Sequence, residues 1–128
     1  MVEPVFNSDN YQIARKLMDA AMLRQDAIAS NIANAETPGY KRLDVASDFA
    51  TQLRNSVEGT GSTTDMASLT PQLVKDTNTR STRPDGNNVE TDSELLAMNK
   101  NTVEYDYLTE VVSYNLKQLR MAVSGNAS

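Results

Sequence analysis

Two stretches of the chain repeat apolar residues at helical spacing, and a polar middle separates them. In the first, Ala14, Leu17, Met18, Ala21, Ile28, Ile32 and Ala35 step mostly by three and four, with Gln25 in the one polar place. Ser8 and Asp9 are N-cap types, and Gln12 stands three residues after Asp9, as in a capping box. The small residues Ala14, Ala21 and Ala35 let a neighbouring helix come close. The second stretch is more regular. Met98, Asn101, Tyr105, Leu108, Val112, Asn115, Leu119 and Ala122 alternate steps of three and four, which is a heptad seam. Leu95, Val111, Leu116 and Val123 widen it. Thr91 opens this helix with Glu94 as a capping-box partner. Asp92 and Glu94 near its start and Lys117 and Arg120 near its end suit the helix dipole, and Gly125 is the natural stop. A buried asparagine in such a seam lowers stability but fixes register. The alternative for Asn101 and Asn115 is a loosely packed stripe that faces solvent.

The pattern predicts a mainly α fold: two long terminal helices packed as a helical hairpin or coiled coil, with a short helix and an extended, loop-rich middle segment. The expected boundaries are a flexible lead over 1–8, a long helix over 9–36, a turn, short helix and polar linker over 37–90, and a second long helix over 91–125. The helices of 9–36 and 91–125 together form one core domain. In the lead, Val5 and Phe6 read as a small packing anchor. In the middle, Val45, Phe49 and Leu53 fall at i, i+4 and i+8. They predict a short amphipathic helix with Asp44 as its cap and Phe49 as its anchor. Glu58-Gly59-Thr60-Gly61-Ser62-Thr63-Thr64 is too small and polar to offset its ordering entropy. Leu69-Thr70-Pro71-Gln72-Leu73-Val74 is an apolar island suited to a brief strand or an extended segment. Pro84-Asp85-Gly86-Asn87-Asn88-Val89 is a turn signal.

Composition narrows the chemistry. Of 128 residues, 39% are hydrophobic and 5% aromatic, lean for a self-contained core, so part of the apolar surface is expected to be buried against other molecules. The net charge of −5 removes a basic nucleic-acid footprint and a polybasic membrane patch. No apolar run reaches the roughly 18 residues of a spanning helix, so direct membrane insertion is not expected. With no cysteine and no histidine, thiol nucleophiles, the usual zinc sites and imidazole acid–base catalysis drop out. No catalytic, cofactor or metal site is expected. Asp44/Asp48 and Asp106/Glu110 stand at i, i+4 and read as solvated helix faces rather than a general acid–base pair. The first six residues lack the pattern of a cleavable signal peptide.

The stretch from Asn31 to Lys41 carries the most specific signal. Pro38-Gly39 presets a type II turn, with proline fixing φ and glycine accepting φ > 0. Asn31 and Asn34 are poor interior helix formers, yet they share one face among alanines and isoleucine. Ala29-Ser30-Asn31-Ile32-Ala33-Asn34-Ala35, a variable Glu36, then Thr37-Pro38-Gly39-Tyr40 resembles the N-terminal signature of the bacterial flagellar axial proteins, the rod, hook and hook-associated subunits. Asp85-Gly86-Asn87-Asn88-Val89, the Asn101 to Tyr105 element and the ending Leu116-Lys117-Gln118-Leu119-Arg120 are similar to the most cell-proximal rod subunits, as is the short chain. A FlgC-like rod subunit is the nearest alternative.

The resemblance implies a non-enzymatic structural subunit of the flagellar basal body. It implies export through the flagellar type III apparatus and assembly in the periplasmic rod. There, the terminal helices would pack helically to transmit torque and line the export channel. The implied partners are copies of itself, FlgC-like and FlgF/FlgG-like rod proteins, the FliE adaptor, the membrane ring and the export apparatus. The implied packing and assembly residues are Ile28, Asn31, Ile32, Asn34, Pro38, Gly39, Tyr40 and Phe49, with Met98, Asn101, Tyr105, Leu108, Val112, Asn115 and Leu119 along the seam. An export chaperone or adaptor, or a peptidoglycan hydrolase that helps a rod cross the wall, are the competing classes.

Overall fold

The computed structural model describes residues 9–59, 66–76, 78 and 82–125. The expected lead over 1–8, with Val5, Phe6 and Ser8, lies outside these residues, as does most of the small polar linker. Six elements follow in order: helix α1 (Asp9–Ala33), strand β1 (Leu43–Val45), helix α2 (Asp48–Glu58), a 3-10 turn (Met66–Ser68), strand β2 (Leu73–Lys75) and helix α3 (Thr91–Ser124). The fold is mainly α. Its two long helices pack against each other, and the short elements lie on a second flank of α1.

α1 and α3 run antiparallel. Asn31, near the end of α1, is bonded to Glu94, near the start of α3. One turn and more further along, Asn101 reaches back to Ala21 and Gln25. At about 1.5 Å per residue, the 25 residues of α1 and the 34 of α3 differ in length by about 13 Å. α1 closes at Ala33, short of Glu36. Its chain tightens first: Ala35 N donates to Ile32 O and Thr37 N to Asn34 O, three-residue steps that occupy two of the carbonyls at the helix end. Tyr40 N then donates to Thr37 O across Pro38-Gly39, and Gly39 takes φ 77°, the left-handed position that a type II turn needs.

The seam residues of α3 turn inward in the expected order. Asn101, Leu108 and Leu119 are buried, and Met98, Tyr105, Val112 and Asn115 are half-buried. Ala122, at the far end of the line, is exposed. Leu95, Leu116 and Val123 do not widen the buried stripe. They point to solvent, because one partner helix covers only a narrow sector of α3.

On its other flank, α1 carries the middle segment. Ala20, Val45, Phe49, Leu53, Met66 and Leu69 form one buried cluster, with Ile13, Leu17, Leu23 and Leu73 packed at its edge. β1 and β2 pair antiparallel, Leu43 opposite Lys75 and Val45 opposite Leu73. Ala46 N→Gln72 O and Asp76 N→Arg42 O extend the ladder on either side. The apolar island thus sends Leu69 and Leu73 to the core and becomes a strand only over its last residues. The short helix begins later than its apolar spacing predicts. Val45 belongs to β1, and Asp44 is a strand residue that caps nothing on α2, whose N-cap is Ser47. Strand pairing with β2 takes residues 43–45 out of the helix, yet Val45, Phe49 and Leu53 still meet in one cluster.

Phe49→Ala removes the largest side chain of that cluster. The expected loss is about 3–5 kcal/mol of stability, read as a lower denaturant midpoint in an unfolding titration.

Candidate functional site

The site grows from Asn31. Its side chain is completely buried, and its amide pairs with the backbone of Leu43 as a neighbouring strand would. Asn31 Oδ1 accepts from Leu43 N at 2.8 Å, and Nδ2 donates to Leu43 O at 2.9 Å. The remaining capacity is also used. Tyr40 Oη donates to Oδ1 at 3.1 Å, and Nδ2 donates to Glu94 Oε2 at 3.2 Å. The hydroxyls of Tyr40 and Ser30 lie 2.9 Å apart. The residue thus fastens α1 to β1, to the turn and to α3 at once.

Arg42 is the second centre. Its Nε donates to Glu94 Oε1 at 2.7 Å, and its Nη1 bonds Asp76 and lies 3.4 Å from Asp44 Oδ2. Arg24 approaches the other oxygen of Asp44 at 3.5 Å. Burial works against the charge on Arg42, but the hydrogen bond and charge of Glu94, followed by Asp76 and Asp44, outweigh it. The guanidinium pKa is raised above its ordinary value. Glu94, 1% exposed, is therefore no capping-box partner for Thr91. The N-cap is Glu90, and it makes no side-chain cap bond. A carboxylate buried at this depth needs a cation and donors, and Arg42 and Asn31 supply both.

The turn at 84–88 locks against the turn at 37–41. Asn87, with no exposed surface, donates from Nδ2 to three carbonyls at the end of α1: Asn34 O at 2.9 Å, Ala35 O at 3.1 Å and Thr37 O at 2.8 Å. Asn34 O and Thr37 O also accept from Thr37 N and Tyr40 N, so Asn87 fills their second lone pairs, and it shares Ala35 O with Arg83. Asn87 Oδ1 accepts from Val89 N at 2.8 Å. Asn88 Oδ1 accepts from Arg42 N at 2.7 Å while its Nδ2 donates to Asp76 O at 3.0 Å. Gly39 N donates to Asp85 O at 2.8 Å, and the Lys41 ammonium bonds Gly86 O. Gly86 has φ 88° and lies beside Gly39, so each of the two facing turns places a glycine at a left-handed position.

Of the residues singled out in the sequence, the structure gathers Asn31, Asn34, Gly39 and Tyr40 in this knot. Asn34 holds Ser30 O and accepts from the Thr37 hydroxyl, while Pro38 is exposed at its rim. Ile28 is buried and Ile32 half-buried on α1, and Phe49 sits apart in the core on the other flank. The seam residues Met98 to Leu119 run along α3 away from the knot. Asn101 is buried and donates to Ala21 O at 2.9 Å and Gln25 Oε1 at 3.0 Å. Its Oδ1 has no partner among the described residues. Asn115 turns back to Val111 O on its own helix. Of the carboxyl pairs, Asp44 belongs to β1 and faces Arg24 and Arg42, Asp48 opens α2, and Asp106 and Glu110 are exposed. Sequence reasoning missed Arg42, Asp76, Asn87, Asn88 and Glu94. One signal was available, because Glu94, Met98 and Asn101 continue the inward line by steps of four and three. A carboxylate on that line requires a buried cation.

A hairpin of long helices, locked at one end by the turns at 37–41 and 84–88, has the build of an assembling structural subunit. The family model described as "Flagella basal body rod protein" matches residues 13–41, that is, most of α1 and the first turn of the knot. Several relatives carry the name flagellar basal body rod protein FlgB, among them the following three. The one from Cereibacter sphaeroides is 34% identical, over 80% of this chain and 84% of its own length. The one from Proteus mirabilis is 30% identical over 96% and 97%, and the one from Escherichia coli 29% over 80% and 85%. The chain belongs to the FlgB family of flagellar basal body rod proteins.

Glu94→Ala takes away the most deeply buried of Arg42's three carboxylate partners and leaves a donor of Asn31 unpaired, while Asp76 and Asp44 stay beside the guanidinium. A loss of about 1–3 kcal/mol is expected, measured by thermal or denaturant unfolding, whereas substituting the exposed Asp92 in the same turn should change little.

Proposed function

We propose that the protein is a subunit of the proximal rod of the flagellar basal body. On this reading it leaves the cell through the flagellar type III apparatus, assembles in the periplasm through its terminal helices, transmits torque and contributes to the wall of the export channel. Its neighbours would be copies of itself, FlgC-like and FlgF/FlgG-like rod proteins, the FliE adaptor and the membrane ring. The observation that carries the reading is family membership over nearly the whole chain, with FlgB relatives rather than other axial proteins. The fold supports it in two ways. The knot of the two turns with Arg42 and Glu94 ties one end of the hairpin together through buried polar bonds, which suits a subunit that passes on torque. Along α3, many large apolar side chains stay exposed, surface that neighbouring subunits could cover. Contacts between unlike surfaces that do not close on themselves build helical assemblies.

Deleting the gene from the source cell should yield purified basal bodies without a rod; complete rods in that strain would overturn the reading. Leu108, buried on the inward line, is the sharper probe. Leu108→Asp would bury an unpaired charge, and the expected outcome is loss of the protein from the basal-body fraction and loss of swimming. Wild-type motility in that strain would show that the seam is dispensable.

A further inference from the structure

Two lines of exposed side chains run along the helical pair. On α1, Arg15, Asp19, Met22, Asp26 and Ala29 alternate steps of four and three, and all five are exposed. They lie clear of the flank that carries the middle segment, where Ile13, Leu17 and Ala20 pack. On α3, Leu96, Lys100, Val103, Tyr107 and Glu110 follow the same rhythm and are likewise exposed. At about 3.6 residues per turn, this line stands roughly half a turn away from the seam that meets α1. Met22 is 56% and Val103 70% exposed. Asp26, Lys100 and Glu110 have no ion-pair partner among the described residues.

We propose that the α1 line of one copy packs against the α3 line of a second copy standing beside it at the same height. The occupant is argued from complementarity. Within one chain, Asn31 is level with Glu94, and Gln25 with Asn101. Carrying that level rule across to a neighbour sets Ala29 against Leu96, Met22 against Val103, Asp26 against Lys100 and Arg15 against Glu110. Asp19 falls opposite Tyr107, whose hydroxyl can donate to it. Apolar contacts thus alternate with opposite charges, the arrangement that fixes partner and register in paired helices. Sliding the copies by seven residues destroys this. In one direction Arg15 meets Lys117 and Met22 meets Glu110; in the other Arg15 meets Val103. The contact joins unlike faces, so each added copy leaves a free α1 line and a free α3 line at the ends, and the array grows sideways.

The inference rests on the rod-subunit reading and names the surface by which copies meet. The chain has no cysteine, so a double variant, Met22→Cys with Val103→Cys, carries only the introduced thiols. Mild oxidation of basal bodies from a swimming strain that carries it should give a ladder of cross-linked multimers. The misregistered pair, Met22→Cys with Tyr114→Cys, should give none. A ladder from the misregistered pair, no ladder from either, or a disulfide confined to single chains would overturn the proposed contact and leave the rod assignment standing. Absence of the wild-type protein from basal bodies would instead overturn the assignment. Charge reversal gives an independent reading. Asp26→Lys and Lys100→Asp, each alone, should reduce swimming at least several-fold, while the two single variants expressed together should restore it, because each then offers the other a complementary face. Unchanged swimming in both single variants, or no recovery in the mixture, would count against the contact.

Discussion

Satisfying the polar groups buried around Asn31 is the constraint on which the rest of this fold depends. An unpaired buried polar group costs about 1–3 kcal/mol, and a charged one more. Here Asn31, Asn87, Asn88 and Glu94 are all buried, with Arg42 partly so. They are affordable only because they pair with one another and with the backbone of β1 and two turns. Low local dielectric strengthens such a network when it is complete and penalises it when one member is missing. That makes the arrangement selective: α1, β1 and α3 must arrive in one register or not at all.

The network also offsets a lean apolar core. One buried cluster fastens the middle segment to α1, and a thin seam of isolated large side chains fastens α1 to α3. Hydrophobic burial is not directional, and a stripe of alanines and spaced leucines would tolerate sliding by a turn. Asn101, bonded to Ala21 O and Gln25, and Glu94, bonded to Arg42 and Asn31, are directional. They set the height of α3 against α1, while the apolar residues supply cohesion.

How much of this could be read from the sequence follows from the range of each interaction. The two long helices, the glycine turn at Gly39 and the inward line through Asn101, Leu108 and Leu119 rest on local periodicity and turn chemistry, and they were legible. So was the special standing of Asn31, an amide out of place in a helix. Arg42 was not, because its partners Asp76 and Glu94 lie 34 and 52 residues away. Asp44 and Glu94 both sat at positions where a local rule offered a role as helix cap. In both cases a distant partner won: strand pairing with β2 claimed Asp44, and the buried guanidinium claimed Glu94. Asn87 reads as an ordinary turn residue until the carbonyls of Asn34, Ala35 and Thr37, just past α1, are placed beside it.

The way Asn31 grips Leu43 has a consequence for how the chain can vary. The grip takes the peptide group of Leu43 and ignores its side chain, so almost any residue with a free amide hydrogen could stand there without loosening it. The helix position has no such freedom. Aspartate lacks the donor, leucine lacks both donor and acceptor, and glutamine sets its amide one methylene too far. Tolerance is thus divided unequally across a single contact, one side open to substitution and the other confined to a single amino acid.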